Sequence, residues 1–143
     1  MAEENKIFAD SNFFIALYNP SDSLHSESVR ISQKIKKEDP DIYISNYIFL
    51  EIVTVISQRI GRKEAVFLGN EILKNPKVNI IHVDETLNKL AWQIFTKVPK
   101  KNFSFVDCST LALLQFEEIG GLLTFDRKDF ISFKDEYRFK LYS

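Results

Sequence analysis

Apolar and polar positions along this chain follow two patterns, short β-rich runs and longer segments with helical spacing. Five short runs predict strands: residues 6–9, 42–44, 78–83, 122–125 and 137–142. Segments in which apolar residues recur at helical spacing predict helices: residues 13–19, 24–37, 45–59, 62–74, 84–97 and 104–119. Gly120 and Gly121 follow the last of these segments, and we expect them to end its helix.

This order of elements predicts the fold class. Strands that alternate with helices of this length pair in parallel, and a parallel sheet needs helices on both of its faces. We therefore expect an α/β protein with three α/β/α layers and a central, mainly parallel sheet. No linker or repeat interrupts the pattern, so residues 1–143 are predicted to form a single domain.

Composition narrows the class of protein. The chain has 143 residues, of which 45% are hydrophobic, and this is enough for one domain with its own core. Cys108 is the only cysteine, so no intramolecular disulfide can form. The sequence shows no signal peptide and no membrane span, and we expect a cytoplasmic protein with no membrane partner. The net charge of -1 neither favours nor excludes a nucleic-acid substrate.

Four carboxylates stand in or beside apolar runs, where solvated charges are rare. They are Asp10, Glu51, Asp107 and Asp126. Asp10 and Asp126 each follow a predicted strand directly, and the carboxyl ends of parallel strands lie at one edge of the sheet. Glu51 is the only charged residue between positions 47 and 56, and Asp107 falls in the first turn of its helix. The pattern predicts one shared acidic site.

Each acid also has a structural explanation. Asp10 could cap the helix that follows it, Asp107 could form a capping box with Ser104, and Asp126 could be an ordinary turn residue. Glu51 could pair with a buried arginine, although burial of a lone carboxylate costs several kcal/mol. A common partner for all four explains more than four separate structural roles do.

Clustered carboxylates repel one another unless a cation lies between them. Oxygen ligands without a cysteine or histidine group favour Mg²⁺ or Mn²⁺ over Zn²⁺. A carboxylate-held Mg²⁺ activates water and stabilises leaving oxygens in phosphate chemistry. The predicted substrate is therefore a phosphodiester.

The residues around these acids resemble a known family. The runs Phe-Ala-Asp-Ser at 8–11, Ser-Phe-Val-Asp-Cys at 104–108 and Leu-Thr-Phe-Asp-Arg-Lys-Asp-Phe at 123–130, together with the isolated Glu51, are similar to the PIN-domain ribonucleases. Within that family they most resemble the VapC-like toxins of type II toxin–antitoxin pairs. The resemblance covers nearly the whole chain, and its motifs occur in the order that the family shows.

The resemblance implies a metal-dependent endoribonuclease. Asp10, Glu51, Asp107 and Asp126 would be both the catalytic residues and the ligands of one or two Mg²⁺ or Mn²⁺ ions. Three hydroxyl residues are expected to orient these acids without binding the metal themselves: Ser11, Thr124 and Ser104. Asp129 is a candidate peripheral ligand that ranks below Asp126, because its place beside Phe130 favours a solvent-facing side chain.

RNA also needs cations along its backbone, and the candidates are Arg127, Lys128, Arg59, Arg62 and Lys101. The resemblance further implies a homodimer and a cognate antitoxin. Two alternatives stay open. The first is a PIN-fold binding module without catalysis in an RNA-processing or antitoxin complex. The second is a metal-dependent phosphohydrolase or nuclease that acts on DNA.

Overall fold

The computed structural model describes the backbone of residues 3–143 and the side chains from residue 5 onward. The strands within this range are β1 Glu3–Ala9, β2 Asp41–Ser45, β3 Val78–Ile81, β4 Ile119–Leu123 and β5 Lys140–Leu141. The helices are α1 Ser11–Tyr18, α2 His25–Glu38, α3 Asn46–Arg59, α4 Arg62–Lys74, α5 Glu85–Lys97, α6 Phe105–Phe116 and α7 Arg127–Phe130, followed by a 3₁₀ turn at Ile131–Phe133.

The five strands form one parallel sheet in the order β3-β2-β1-β4-β5. The chain moves outward from β1 through β2 to β3 and then returns to the other side of β1 as β4. The sheet therefore has its topological switch point between β1 and β4, where open α/β sheets bind ligands. Register across this point pairs Ala9 with Leu123, so the two strands end at the same level.

Buried side chains and a helix cap explain why these segments form their helices and strands. On α3, Ile48, Ile52 and Ile56 recur every fourth residue and are completely buried. Ser45 caps this helix, because its side chain accepts a hydrogen bond from the Ile48 amide at 3.0 Å. β1 buries Ile7 and Phe8 in the middle of the sheet, where both faces are covered. The expected three-layer α/β/α class with a parallel central sheet is confirmed.

The prediction that Gly120 and Gly121 end a helix is wrong. Helix α6 ends at Phe116, and Glu118 takes up the left-handed conformation (φ 52°) that the glycines were expected to supply. Both glycines lie inside β4. A Cβ on Gly121 would come within 3.1 Å of the Ile7 side chain and 3.2 Å of the Lys6 carbonyl oxygen, so glycine allows β4 to lie close against β1.

Three predicted strands extend further toward the C-terminus than the observed ones. The run at 137–142 forms only the two-residue strand Lys140–Leu141, because Tyr137 and Phe139 pack into the core from irregular backbone. β4 ends at Leu123 rather than at residue 125, and β3 ends at Ile81. Within residues 3–143, no helix has the length and apolar character needed to cross a membrane.

Candidate active site

Asp10 lies directly after β1 and is the most buried of the four acids, with 6% of its surface exposed. Its Oδ1 atom accepts a hydrogen bond from the Ser11 amide at 2.8 Å, and its Oδ2 atom accepts one from the Thr124 hydroxyl at 2.8 Å. Burial is the main cause that raises the pKa of Asp10 to about 7; the hydrogen bonds from Thr124 and Ser11 oppose this rise, and the charges of Asp107 and Asp126 add to it. Asp10 is thus both a helix cap and a strongly perturbed carboxyl.

The Glu51 side chain projects from α3 toward Ser11, the residue that follows Asp10. Its Oε1 atom accepts a hydrogen bond from the Ser11 hydroxyl at 3.0 Å, so its partner is a hydroxyl rather than the buried arginine considered from the sequence. Burial raises the pKa of Glu51, and the negative charges of Asp107 and Asp126 add to the effect while the Ser11 bond opposes it. Ser11 therefore connects the first turn of α1 to the acid of α3.

Asp107 and Ser104 form the capping box that was considered from the sequence. The Ser104 hydroxyl accepts from the Asp107 amide at 3.0 Å, and the Asp107 Oδ2 atom accepts from the Ser104 amide at 2.9 Å. Burial raises the pKa of Asp107, the Ser104 bonds lower it, and Asp126 and Asp129 raise it again. Asp107 is both a structural cap and a member of the acidic group.

Asp126 lies further from the end of β4 than the sequence predicted. It does not follow β4 directly, since Thr124 and Phe125 come between the strand and this residue. Its amide donates to the Thr124 hydroxyl at 3.0 Å, which turns the chain back toward Asp10. Asp126 is exposed at the surface, and its partial desolvation still raises its pKa, with the charge of Asp129 adding to the effect and a hydrogen bond from Asn12 opposing it.

Sequence reasoning missed Asn12. Its Oδ1 atom accepts from the Phe125 amide at 3.2 Å, and its Nδ2 atom donates to the Thr124 hydroxyl at 3.4 Å. It also forms a side-chain hydrogen bond with Asp126. The available signal is an asparagine two residues after a strand-ending aspartate, but asparagine in this position is also a common helix-capping residue. Asn12 joins α1 to the turn that carries Asp126.

Asp129 belongs to the acidic group more closely than its sequence position indicated. It is partly buried on α7, and its charge raises the pKa of both Asp107 and Asp126. Its backbone oxygen accepts a hydrogen bond from Lys100 Nζ at 2.9 Å, which fixes α7 against the loop before α6. The solvent-facing position expected from the sequence is therefore only part of its environment.

The donor set can be compared with what a metal requires. Among the described side chains, those of residues 5–143, no three or more from histidine, cysteine, aspartate or glutamate lie close enough together to hold a metal ion. The four acids nevertheless share one electrostatic environment and offer only oxygen donors. Mg²⁺ usually takes one or two carboxylates and keeps several waters, so it does not require a cage made wholly of protein. The donor chemistry of these oxygens is the kind that Mg²⁺ and Mn²⁺ prefer.

The basic candidates lie in three different places. Arg127 and Lys128 are exposed and follow Asp126 directly, and Lys101 is exposed in the loop before α6. Arg59 stands eight residues beyond Glu51 on α3, which puts it about 12 Å further along the helix axis. Arg62 begins α4, where its Nε atom donates to the Ser57 hydroxyl at 3.3 Å. Arg127 and Lys128 therefore adjoin an acid along the chain, whereas Arg59 ends the helix that carries Glu51 and Arg62 begins the next one.

Both the sequence and the fold of this chain are similar to those of known proteins. The PIN domain family matches residues 7–135, which include all four acids and Asp129. The chain is a member of the PIN domain family. It is 28% identical over 120 residues to a Mycobacterium tuberculosis protein named 23S rRNA-specific endonuclease VapC20, and the match covers 84% of this chain and 88% of that one. The expected relation to VapC-like toxins is confirmed.

Solved structures agree with this assignment. The crystal structure of Mycobacterium tuberculosis VapC20, described as a Sarcin-Ricin loop cleaving toxin, superimposes with a TM-score of 0.76 at 27% identity and covers 88% of this chain and 93% of that one. FitAcB from Neisseria gonorrhoeae gives a TM-score of 0.68 at 17% identity, with 96% of each chain covered. At this low sequence identity, the similarity to FitAcB supports the fold alone.

Proposed function

We propose that this PIN-domain protein is an endoribonuclease that depends on Mg²⁺ or Mn²⁺ and cleaves RNA phosphodiesters through an activated water. The observation that carries this proposal is the convergence of Asp10, Glu51, Asp107 and Asp126 from four separate segments, where the charges of Asp107 and Asp126 raise the pKa values of Asp10 and Glu51. Perturbed titratable groups at a topological switch point are characteristic of catalytic sites. The similarity to VapC20, which is named as an rRNA endonuclease, favours RNA as the substrate.

Asp10 and Asp107 are the proposed principal metal ligands, with Glu51 and Asp126 as further ligands directly or through water. A bound divalent ion would supply a water of lowered pKa and would stabilise charge on the phosphate oxygens. Asp129 is a candidate peripheral ligand, because its charge raises the pKa values of Asp107 and Asp126. The ligands must be deprotonated to bind metal, so the raised pKa values predict weaker binding at acidic pH.

The surrounding side chains orient these acids. The Thr124 hydroxyl holds Asp10, the Ser11 hydroxyl holds Glu51, and the Ser104 backbone amide holds Asp107, each through a hydrogen bond to a carboxylate oxygen. These bonds restrict carboxylate rotation, which keeps the ligand geometry ready before substrate arrives. Arg127, Lys128 and Lys101 are the proposed contacts to RNA phosphates on either side of the acids.

The test is RNA cleavage by chelator-treated protein before and after addition of Mg²⁺ or Mn²⁺. We expect cleavage only with metal, and we expect Asp10→Asn and Asp107→Asn to lose it. Asp135→Asn is the matched control, because the Asp135 side chain is 97% exposed. Cleavage that survives chelation would refute the mechanism. Cleavage of single-stranded DNA or DNA flaps in preference to RNA would favour the phosphohydrolase alternative.

The biological context that we propose is the toxin of a type II toxin–antitoxin pair, in the cytoplasm and as a homodimer. The groove between α3 and α4 is the proposed antitoxin site. Its volume is about 520 Å³, and its lining includes Phe49, Val53, Ala65, Val66 and Leu73. An apolar groove between two helices suits the apolar face of a partner helix.

Co-expression with the product of the neighbouring gene tests this context. We expect a stable complex that suppresses cleavage, and we expect Val66→Glu to weaken that complex while the free enzyme still cleaves RNA. Mass measurement of the free protein tests the homodimer. If the metal-loaded protein binds such a partner but cuts no RNA, the non-catalytic binding module is the better description.

A further inference from the structure

A tight turn between α5 and α6 separates two neighbouring lysines. The Phe103 amide donates to the Lys100 carbonyl oxygen at 3.2 Å, and this bond closes the turn. Lys101 and Asn102 form its exposed tip, whereas Lys100 is partly buried and Phe103 is buried. The side chains of Lys100 and Phe103, at the base of the turn, both reach the segment that follows Asp126.

The Lys100 side chain contacts three residues of that segment. Its Nζ atom donates to the Asp129 backbone oxygen at 2.9 Å and to the Ser132 hydroxyl at 3.1 Å. It also lies 5.2 Å from the centre of the Phe133 ring, within the range of a cation–π interaction. Asp129 belongs to the last turn of α7, where carbonyl groups lack partners within the helix and a positive charge is favourable. We call these contacts the Lys100 clamp.

Phe103 attaches the turn to the same segment through ring contacts. Its ring centre lies 5.0 Å from that of Phe130 and 5.1 Å from that of Phe133. Phe130 ends α7 and is completely buried, so the core holds α7 at this residue. The Lys100 clamp adds polar contacts beside these ring contacts and shares Phe133 with them. Together they join the start of α6 to α7 and the 3₁₀ turn.

The Lys100 clamp joins two segments that carry acids of the site. Asp107 lies in the first turn of α6, just after Phe103, and Asp126 directly precedes α7. Burial raises the pKa of Asp107, and the charge of Asp126 adds to the rise, so the two carboxylates lie close enough to repel each other. This repulsion pushes α7 away from the start of α6, and the contacts of Lys100 oppose that movement.

We propose that Lys100 is a positioning residue that holds α7 against the start of α6, and so keeps Asp107 and Asp126 at the spacing in which both can bind one divalent ion. This inference rests on the proposed metal-dependent function for the identity of the ligand. Lys100 acts through these acids, and its positive charge is used within the fold. The exposed Lys101 remains the candidate for a phosphate contact, so the two neighbouring lysines have different functions.

Lys100→Met removes the ammonium group and keeps a long, unbranched side chain. We expect calorimetric titration to show Mn²⁺ binding about 10- to 100-fold weaker than in the wild type, the usual cost of losing a group that orients metal ligands. Lys100→Arg keeps a cation with several donors and should retain most of the affinity. If folded Lys100→Met binds Mn²⁺ as tightly as the wild type, Lys100 has a purely structural role and the proposal fails.

Lys89→Met is the matched control, because it also removes one lysine charge. The Lys89 side chain is 73% exposed on α5, where it forms an ion pair with Glu85 at 3.2 Å. This variant should match the wild type in Mn²⁺ affinity. A loss as large as that of Lys100→Met would mean that net charge rather than the Lys100 clamp sets the affinity, which would also overturn the proposal.

Kinetics distinguish a positioning role from a direct contact with RNA. At a Mn²⁺ concentration near the wild-type dissociation constant, Lys100→Met should lower kcat and leave KM for RNA close to the wild-type value. Lys101→Met should instead raise KM for RNA and leave the Mn²⁺ affinity unchanged. If Lys100→Met raises only KM, Lys100 is a phosphate contact and the proposal fails.

Cys108 provides a readout that needs neither metal nor RNA. It is the only cysteine of the chain, stands near the start of α6 and is completely buried. Burial and the charge of Glu136 raise the pKa of Tyr137, and the nearby Cys108 adds to the rise. The Tyr137 ring in turn packs on Phe133 at 6.1 Å. The segment that the Lys100 clamp holds therefore lies next to this thiol.

A thiol reagent applied in chelator tests the clamp through Cys108. Release of α7 should expose the thiol, so it should react faster in Lys100→Met than in the wild type, after correction for the global unfolding of each variant. Lys100→Arg and Lys89→Met should react at the wild-type rate. Equal rates in Lys100→Met and the wild type would overturn the proposal. If the wild type binds no Mn²⁺, the proposed function fails, and these rates still show whether Lys100 holds α7 against α6.

Discussion

Thr124 Oγ1 donates a hydrogen bond of 2.8 Å to Asp10 Oδ2, and both residues are almost fully buried. The same hydroxyl oxygen accepts from the Asp126 amide at 3.0 Å and from Asn12 Nδ2 at 3.4 Å. One hydroxyl group therefore connects the end of β1, the turn after β4 and the first turn of α1. It fixes the positions of two acids at the point where the sheet reverses its order.

Thr124→Val removes this hydroxyl and keeps the shape of the side chain. We expect a loss of about 1–3 kcal/mol in the free energy of unfolding, because the Asp126 amide and one Asp10 oxygen lose their partner. Cleavage should fall by about 10²-fold, the order reported for small misplacements of catalytic groups. Thr124→Ser keeps the hydroxyl and should retain most of the activity. Equal activity in the valine and serine variants would show that this bond does not position the acids.

The stability of the metal-free protein should fall as pH rises. In the folded state the pKa of Asp10 is about 7, above its ordinary 3.8, so the folded protein holds a proton that the unfolded chain has already lost. The resulting stabilisation is present below about pH 4 and is lost as pH rises through about 7. At ~1.4 kcal/mol per tenfold change, the loss from Asp10 amounts to at most about 4 kcal/mol. Denaturant unfolding in chelator across this pH range measures it.

Asp10→Asn is the matched variant for that experiment. It should remove most of this pH dependence. Above pH 7 it should exceed the wild type in stability because asparagine carries no buried charge, but only by about 1–3 kcal/mol because asparagine accepts fewer hydrogen bonds than a carboxylate. Near pH 4 the variant should have no advantage. A wild-type stability that rises steadily from pH 4 to pH 8 in chelator would contradict the raised pKa of Asp10. Mg²⁺ should stabilise only the wild type.

The sequence contained enough information to predict the parts that depend on local pattern. The Ile48, Ile52 and Ile56 spacing predicted α3, and the strand before Asp10 predicted that this acid stands at the edge of the sheet. Glu51 was identified because a lone carboxylate in an apolar run has few structural explanations. These inferences need only periodicity, capping chemistry and the cost of burying charge.

The parts that depend on packing between distant segments could not be predicted in this way. Gly121 lies within a strand because β1 passes close by, and no local signal distinguishes that role from a helix stop. Asn12 hydrogen-bonds to a turn that lies more than a hundred positions further along the chain. The effect of the Asp129 charge on the pKa of Asp107 likewise requires that α7 fold back toward α6. Such contacts follow from the tertiary fold.

The Ser11 hydroxyl should set the acidic limb of the pH–activity profile. Its hydrogen bond to Glu51 favours the charged carboxylate and opposes the rise in the pKa of Glu51 that burial causes. Ser11→Ala removes this opposition, so the pKa of Glu51 should rise further and the acidic limb of kcat/KM should move to higher pH. Ser11→Thr keeps a hydroxyl and should leave the limb in place. A uniform loss of activity at every pH would instead indicate a purely structural role.

Salt dependence should separate the basic residues that touch RNA from those that do not. Lys128 follows the acids directly along the chain, whereas Arg59 lies about 12 Å beyond Glu51 along the α3 axis. Loss of one phosphate contact lowers the slope of log affinity against log salt by about 0.7 for a single strand. We therefore expect Lys128→Ala to weaken RNA binding and to reduce this slope, and Arg59→Ala to change neither. Anisotropy titrations of the Asp107→Asn protein at several salt concentrations measure both quantities. A reduced slope for Arg59→Ala with an unchanged slope for Lys128→Ala would mean that RNA crosses the α3–α4 end of the molecule.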